Sequence, residues 1–376
     1  MDNILLSAAL AFLITFFAIP VIIQIAKSKK LFDEPDERKV HKTVIPTLGG
    51  LGIFAGFIVA VLLGVPSINN PEFQYFVAAA IVIFFLGIKD DIMILSASKK
   101  FIGQLIAAAI IIHFGGIQIT NMHGFMGIEA LPPVAGIVLS FFTIIVITNS
   151  FNLIDGVDGL AGTLGLITTI ALGTYFLSAG QTAYAVLAFS LTGSIIGFLI
   201  YNFSPAKIFM GDTGSLLLGL VNSILVIKFI NLAATPGAHL PILASPAVGF
   251  AIMIIPLFDT LRVFGLRILD RRSPFSPDRN HIHHYLLDMG FSHKKITLTC
   301  AIVTICFIAC AFYFRNADTT LMIGIILAAA TGLTALTYYT RRKVISKKTY
   351  MPSAGEKEII KSHKILTLVS DTVEVD

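Results

Sequence analysis

LPPVAGIVLSFFTIIVITNSFNLIDGVDGLAG, residues 131–162, joins two features that soluble domains keep apart. Its apolar run, 131–148, is long enough to cross a bilayer. That run leads directly into Asn149, Asn152, Asp155 and Asp158 at strict three-residue spacing. Steps of three on a helix keep side chains on one slowly drifting face. Gly156 and Gly159 then loosen the backbone, so the stretch is expected to end in a turn or a broken helix. Carboxylates beside hydrocarbon are costly and mark function by default. Irregular polar backbone at that depth is tolerated only inside protein or along a cavity.

The same grammar recurs along the chain. Its 376 residues are 56% hydrophobic and 13% charged, against about 25% charged in a soluble domain. Eleven apolar runs read as membrane spans: 3–26, 46–64, 73–88, 101–115, 131–148, 160–178, 182–201, 214–231, 241–264, 296–314 and 320–340. The third and fourth are short, and the eighth contains Lys228. The first is not a cleaved signal, because Met1-Asp2-Asn3 carries no positive start and the basic residues follow the run. The expected fold is therefore an all-α integral membrane protein, a polytopic bundle of about eleven helices. Residues 1–340 form the membrane domain and 341–376 a cytoplasmic tail, to which no chemistry is assigned. No internal repeat is visible.

Lysine and arginine orient the bundle. Lys27, Lys29, Lys30, Arg38, Lys39 and Lys42 crowd the first loop, and Lys89, Lys99 and Lys100 the third. Lys207 lies in the seventh, and Arg267, Arg271, Arg272, Arg279, Lys294 and Lys295 in the ninth. The even loops hold only Arg315. Odd loops are expected in the cytoplasm, with the amino terminus outside and the carboxyl terminus inside. The net charge of +5 is thus a basic face suited to anionic lipid or substrate. Basic residues dispersed over membrane loops exclude nucleic acid as a partner. Cys300, Cys306 and Cys310 share one span, where thiols pack as small hydrophobes.

The chemistry gathers in the loops 27–45, 89–100, 149–159, 202–213 and 265–295. Adjacent Asp90 and Asp91 end the third span, and their mutual repulsion favours a cation. DGVDG lacks the alternate-residue ligands and distal Glu of a calcium loop. Its amide and carboxylate oxygens suit a hard cation or sugar hydroxyls instead. Asp212, in MGDTGS before an apolar helix, reads either as a helix cap or as a ligand to the cation of a metal–diphosphate. His281, His283 and His284 have no Cys or Glu neighbour and stand among arginines, which argues for an anion clamp over zinc.

In order, RKVHKTVIPTLGG, LGIKDD, NSFNLIDGVDGLAG, MGDTGSLLLG and SPFSPDRNHIHH resemble the polyprenyl-phosphate N-acetylhexosamine-1-phosphate transferases (glycosyltransferase 4 type) over roughly residues 38–284. The PDRNHIHH form is similar to the UDP-GlcNAc:undecaprenyl-phosphate GlcNAc-1-phosphate transferase branch. The resemblance implies a phosphoglycosyl transferase of the bacterial inner membrane, with its active site on the cytoplasmic face. Mg²⁺, with Mn²⁺ as a substitute, would serve a UDP-GlcNAc donor and an undecaprenyl phosphate acceptor. Products would be polyprenyl-diphosphate-GlcNAc and UMP, the first lipid-linked step of cell-surface polysaccharide synthesis. A homodimer stays open.

By that resemblance Asp212 and Asp155 hold the metal. Asp90, Asp91, Asp155 and Asp158 are the catalytic carboxylates. Asn149, Asn152, Arg267, Arg271, Arg279, His281, His283 and His284 bind substrate. Transfer from UDP-GalNAc or UDP-MurNAc-pentapeptide is the alternative within this chemistry. A cation-coupled transporter is the rival outside it, although transporters place ionisable groups near the midplane between related halves.

Overall fold

The computed structural model describes residues 2–29, 32–33, 45–66, 68–235, 240–273 and 279–349. The basic residues at 30 and 38–42, the segment 274–278 of the ninth loop and the tail from 350 lie outside the described residues.

Each of the eleven apolar runs folds as helix. The first eight are α1 (Asp2–Lys29), α2 (Gly49–Gly64), α3 (Phe73–Ile92), α4 (Ala97–His113), α5 (Pro133–Ile154), α6 (Leu160–Ser178), α7 (Thr182–Asn202) and α8 (Gly211–Ala233). The ninth run is two helices, α9 (Ser245–Ile252) and α10 (Ile254–Leu269), bent by 87° at the break. A short α11 (Ile282–Asp288) follows, then α12 (His293–Tyr313) and α13 (Thr319–Thr349). The last helix thus runs past the expected boundary at 340. By length and composition seven helices can cross a membrane, or eight if the bent pair counts as one span.

Two small β ladders interrupt the all-α expectation among the described residues. β1 (Phe32–Asp33) pairs antiparallel with β2 (Ile45–Pro46), and β3 (Asn121–Phe125) with β4 (Ile128–Ala130). The second pair sits at the end of the bundle opposite the carboxylates. Thr319 Oγ1 donates to the His123 carbonyl, and Met126 N–H donates to Thr320 Oγ1, tying it to α13.

The helix α8 is the axis of the molecule: 83% of its apolar window is buried, against 22% in α1. It packs against α3, α5 and α2. Outer helices α1, α12 and α13 expose Leu5, Phe17, Ile302, Leu321 and Leu336, an apolar rim that water would not tolerate and lipid would. Between apolar helices in lipid, close backbone approach replaces hydrophobic driving force. Gly193 on α7 faces the Ala8 carbonyl of α1 with no room for a side chain, and Gly87 on α3 does the same to Thr213 on α8. The second approach draws Asp90 and Asp91 onto the start of α8.

Candidate active site

Asp91 is the cap of α8. One carboxylate oxygen accepts from Asp212 N–H at 2.7 Å, the other from Thr213 N–H at 3.1 Å and Thr213 Oγ1 at 2.5 Å. A carboxylate there answers the unpaired N–H groups and the positive end of the helix dipole. Gly211, at φ 70°, makes the turn into the helix. A side chain at that position would strike the Thr47 carbonyl and the Asp91 carboxylate. Backbone bonds lock the same turn to β2 and α2: Phe209 N–H donates to Pro46, Gly49 N–H to Phe209 and Gly50 N–H to Met210.

Asp90 and Asp212 share a cation. Lys100 Nζ, from the first turn of α4, lies 2.5 Å from Asp90 Oδ2 and 2.7 Å from Asp212 Oδ2. Asp90 Oδ1 also accepts from Leu95 N–H at 2.7 Å. Lys100 counted only toward topology in the sequence. Its placement four residues after Ser96, the N-cap of α4, projects it from that first turn back over α3.

The helix α5 runs to Ile154, so Asn149 and Asn152 stand in its last turns rather than in a loop. Asn149 exchanges hydrogen bonds with Gln104 of α4, and Asn152 Nδ2 donates to Ser215 Oγ of α8 at 3.0 Å. The turn 155–159 follows, as the glycines required. Asp155 caps α5, half-buried, and no donor among the described residues reaches its carboxylate. Burial first, then the charges of Asp212, Asp91 and Asp158, push its pKa to about 8. Asp155 thus stands among carboxylates with no protein donor on its own oxygens, and burial with their charge favours its protonated form until a cation is present.

Asp158 faces another way. Its carboxylate pairs with His293 Nδ1 at 3.0 Å and accepts from Ala206 N–H at 3.2 Å. Thr297 Oγ1 donates to its carbonyl at 3.0 Å. Burial alone would raise its pKa, but the hydrogen bond and charge of His293 outweigh that and hold it below the usual carboxylate range. Asp158 therefore ties the 155–159 turn to α12 and to the loop before α8.

His283 and His284 sit on α11 with His281 at its N-cap, and His283 meets this turn. His281 and His283 stack at 5.7 Å with planes 8° apart, and His283 and His284 lie 4.3 Å between centroids. A Cβ on Gly156 would come within 2.7 Å of His283 Nε2, so a bare glycine lets the ring rest beside Asp155. Burial first, then neighbouring His284, holds His283 neutral, its pKa pushed down to about 3. Burial, then Arg279, lowers His284 as well. Two residues absent from the sequence-based set support this loop: Asp259 and Arg262 of α10, paired at 2.7 Å.

The arginines are dispersed. Arg267 is buried in the last turn of α10 with Phe264 beneath its guanidinium. Arg271 is exposed in a left-handed turn at φ 57°. Arg279 is largely exposed, 3.9 Å from Asp288. The carboxylates Asp90, Asp91, Asp155 and Asp212, with Asn152 and Lys100, thus form one cluster at one end of the bundle, and His283 abuts it through Gly156.

The donor set decides what the cluster can hold. Its atoms are carboxylate and amide oxygens, and among the described residues no three His, Cys, Asp or Glu side chains form a closed metal cage. Such a site suits a hard dication that keeps waters or phosphate oxygens of a ligand, with one or two carboxylates from the protein.

Residues 73–230, which carry α3 to α8 and every carboxylate of the cluster, match the family model described as glycosyl transferase family 4. The chain is 34% identical over 336 residues to the probable undecaprenyl-phosphate N-acetylglucosaminyl 1-phosphate transferase of Bacillus subtilis, covering 87% of this chain and 90% of that one. It is 34% identical over 359 residues to the decaprenyl-phosphate N-acetylglucosaminephosphotransferase of Mycobacterium tuberculosis, covering 88% of each. Over 289 residues it is 32% identical to the undecaprenyl-phosphate alpha-N-acetylglucosaminyl 1-phosphate transferase of Escherichia coli K12, covering 74% of this chain and 76% of that one. By its family match and this near end-to-end likeness, the chain belongs to glycosyl transferase family 4, with the polyprenyl-phosphate N-acetylhexosamine-1-phosphate transferases.

Proposed function

We propose that the protein transfers GlcNAc-1-phosphate from UDP-GlcNAc to undecaprenyl or another polyprenyl phosphate. The products are polyprenyl-diphosphate-GlcNAc and UMP. The observation that carries this reading is the unpartnered Asp155 carboxyl among Asp90, Asp91 and Asp212, at one end of an apolar helical bundle and beside the histidine helix. The names of the relatives support the donor and the acceptor. In the same reading all eleven apolar helices cross the membrane, and the carboxylate end faces the cytoplasm. The basic loops, including Lys89, Lys99, Lys100 and Lys207 at that end, support this orientation.

The reaction exchanges one phosphoanhydride for another, so catalysis is positioning and charge neutralisation. An oxygen of the acceptor phosphate attacks the sugar-linked phosphorus of the donor. The bond from that phosphorus to the bridging oxygen breaks, and the oxygen leaves with UMP. A phosphate monoester has its second pKa near ~6, so the acceptor arrives ionised and needs no strong base. Asp90, with both oxygens engaged by Leu95 and Lys100, serves to orient rather than to attack. Lys100 sits where the charge of two joined phosphates is met by protein. Asp91 and Asn152 fix the positions of Asp212 and Ser215. Neutral His283 offers a hydrogen bond to donor oxygens without a charge that would bind product too tightly.

The oxygen donor set of Asp155 and Asp212 fits Mg²⁺, with Mn²⁺ as a substitute. When bound, the ion would offset charge developing on the diphosphate.

The test offers labelled UDP-GlcNAc, UDP-GalNAc and UDP-MurNAc-pentapeptide with undecaprenyl phosphate and Mg²⁺ to purified protein. Label is followed into lipid extract, with EDTA and Asp212→Asn as controls. Lipid label from UDP-GlcNAc that both controls abolish supports the reading. Label from another donor alone reassigns the sugar, and none from a folded protein overturns the transferase.

A further inference from the structure

The apolar run 241–264 carries two charged residues, Asp259 and Arg262, and neither belongs to the transfer chemistry argued above. Asp259 is 3% exposed. Its carboxylate takes Arg262 Nη2 at 2.7 Å, Ile282 N–H at 3.2 Å to both oxygens, and His281 Nδ1 at 2.9 Å. Two of these partners can only donate, so the carboxylate is the acceptor throughout, and the hydrogen on the shared edge rides on His281 Nδ1. That fixes the imidazole: Nε2 is the atom left over, buried and without a protein partner.

Arg262 completes the grip. It donates to the Asn280 carbonyl at 2.5 Å and lies over the Tyr285 ring at 5.4 Å. One ion pair on α10 therefore holds residues 280, 281, 282 and 285. His281 in turn stacks on His283, which rests against Gly156 beside Asp155.

We infer that Asp259 is a positioning residue for the transfer reaction: it sets the tautomer and the seat of His281, and through the stacked His283 registers the histidine helix against the Asp155 turn. Asp259 touches neither the carboxylate cluster nor, on this geometry, a phosphate. It acts at one remove, as outer carboxylates do for the imidazoles they orient. An amide in its place could still accept from Ile282 and Arg262, but would turn an N–H toward His281 and move the ring hydrogen to Nε2.

The inference rests on the transferase reading, so the experiment has one arm that does not. Wild type, Asp259→Asn, Asp259→Glu, His281→Asn and the Asp259→Asn/His281→Asn double variant are purified in detergent and checked for unchanged elution. In the first arm, Asp259→Asn lowers kcat about 10- to 100-fold, the range for losing an orienting partner. KM for UDP-GlcNAc stays near wild type, Asp259→Glu restores part of the rate, and the double variant is no slower than His281→Asn. In the second arm, diethylpyrocarbonate, which acylates the ring nitrogen that carries no hydrogen, labels His281 in wild type and more slowly in Asp259→Asn, where the hydrogen covers Nε2, read by mass spectrometry.

A wild-type kcat in Asp259→Asn, or a double variant slowed by the product of the single losses, overturns the inference. An unchanged labelling rate overturns it too. If wild type transfers nothing, the proposed function fails and the labelling arm alone decides whether Asp259 holds His281.

Discussion

Two carboxylates and one histidine of this site do three different physical jobs, and single substitutions separate them. Asp91 spends its oxygens on Asp212, Thr213 and the start of α8. Asp91→Ala should destabilise the folded protein by about 1–2 kcal/mol, the worth of a helix cap, measured as a lower midpoint of unfolding in detergent. Asp212 meets Lys100 and, in the proposed chemistry, the cation. Asp212→Asn should leave that midpoint nearly unchanged and cut transfer by about 10²–10³-fold. Histidine 283 carries a pH signature. Folded, it stays neutral down to about pH 3, whereas the unfolded chain takes a proton near the ordinary value of 6.5. The unfolded state thus binds more protons in that window, and stability falls as pH drops through 6.5. Between about pH 7.5 and 5 the loss from this one group is about 2 kcal/mol. His283→Asn should shrink the difference between unfolding midpoints at those two pH values, and an unchanged difference would refute the buried neutral ring.

At the level of elements, junctions matter more than helices. Gly156→Ala places a methyl group against His283 Nε2 and should push α11 off the 155–159 turn. Transfer is expected to fall at least about tenfold while helix content by circular dichroism stays the same. The helices themselves were legible in the sequence, because a membrane imposes a length and a composition on each one. The carboxylates Asp90, Asp91, Asp155 and Asp212 were legible for the same reason, standing out against apolar flanks. Lys100 was not, since a lysine beside a span first reads as an orientation signal. Asp259 and Arg262 were hidden within an apolar run, although their spacing of three is that of an ion pair on one helix face. The break after Ile252 was missed as well. Pro256, in the first turn of α10, was its available sign, because proline is tolerated where helices begin. Asp158 shares the spacing of Asp155, and the turn carries its carboxylate to His293, a partner the spacing alone did not reveal.

Across the whole molecule, the placement of the site fixes which loops must share a compartment. Single cysteines at Ser96, Lys207 and Gly290, in a chain with Cys300, Cys306 and Cys310 replaced, should react with a membrane-impermeant thiol reagent only from the cytoplasmic side. A cysteine at Gly180 should react only from the other. Labelling of Gly180 and Lys207 from the same side would overturn the proposed eleven-span topology. The turn at residues 209–213 has a consequence in time. It is held by backbone from residues 46–50, by Asp91 and by Gly87, all far earlier in the chain. A ribosome that has inserted the first seven helices has therefore built waiting halves and no working centre. Only when the eighth helix arrives do they close, so a chain shortened before it has no assembled carboxylate cluster.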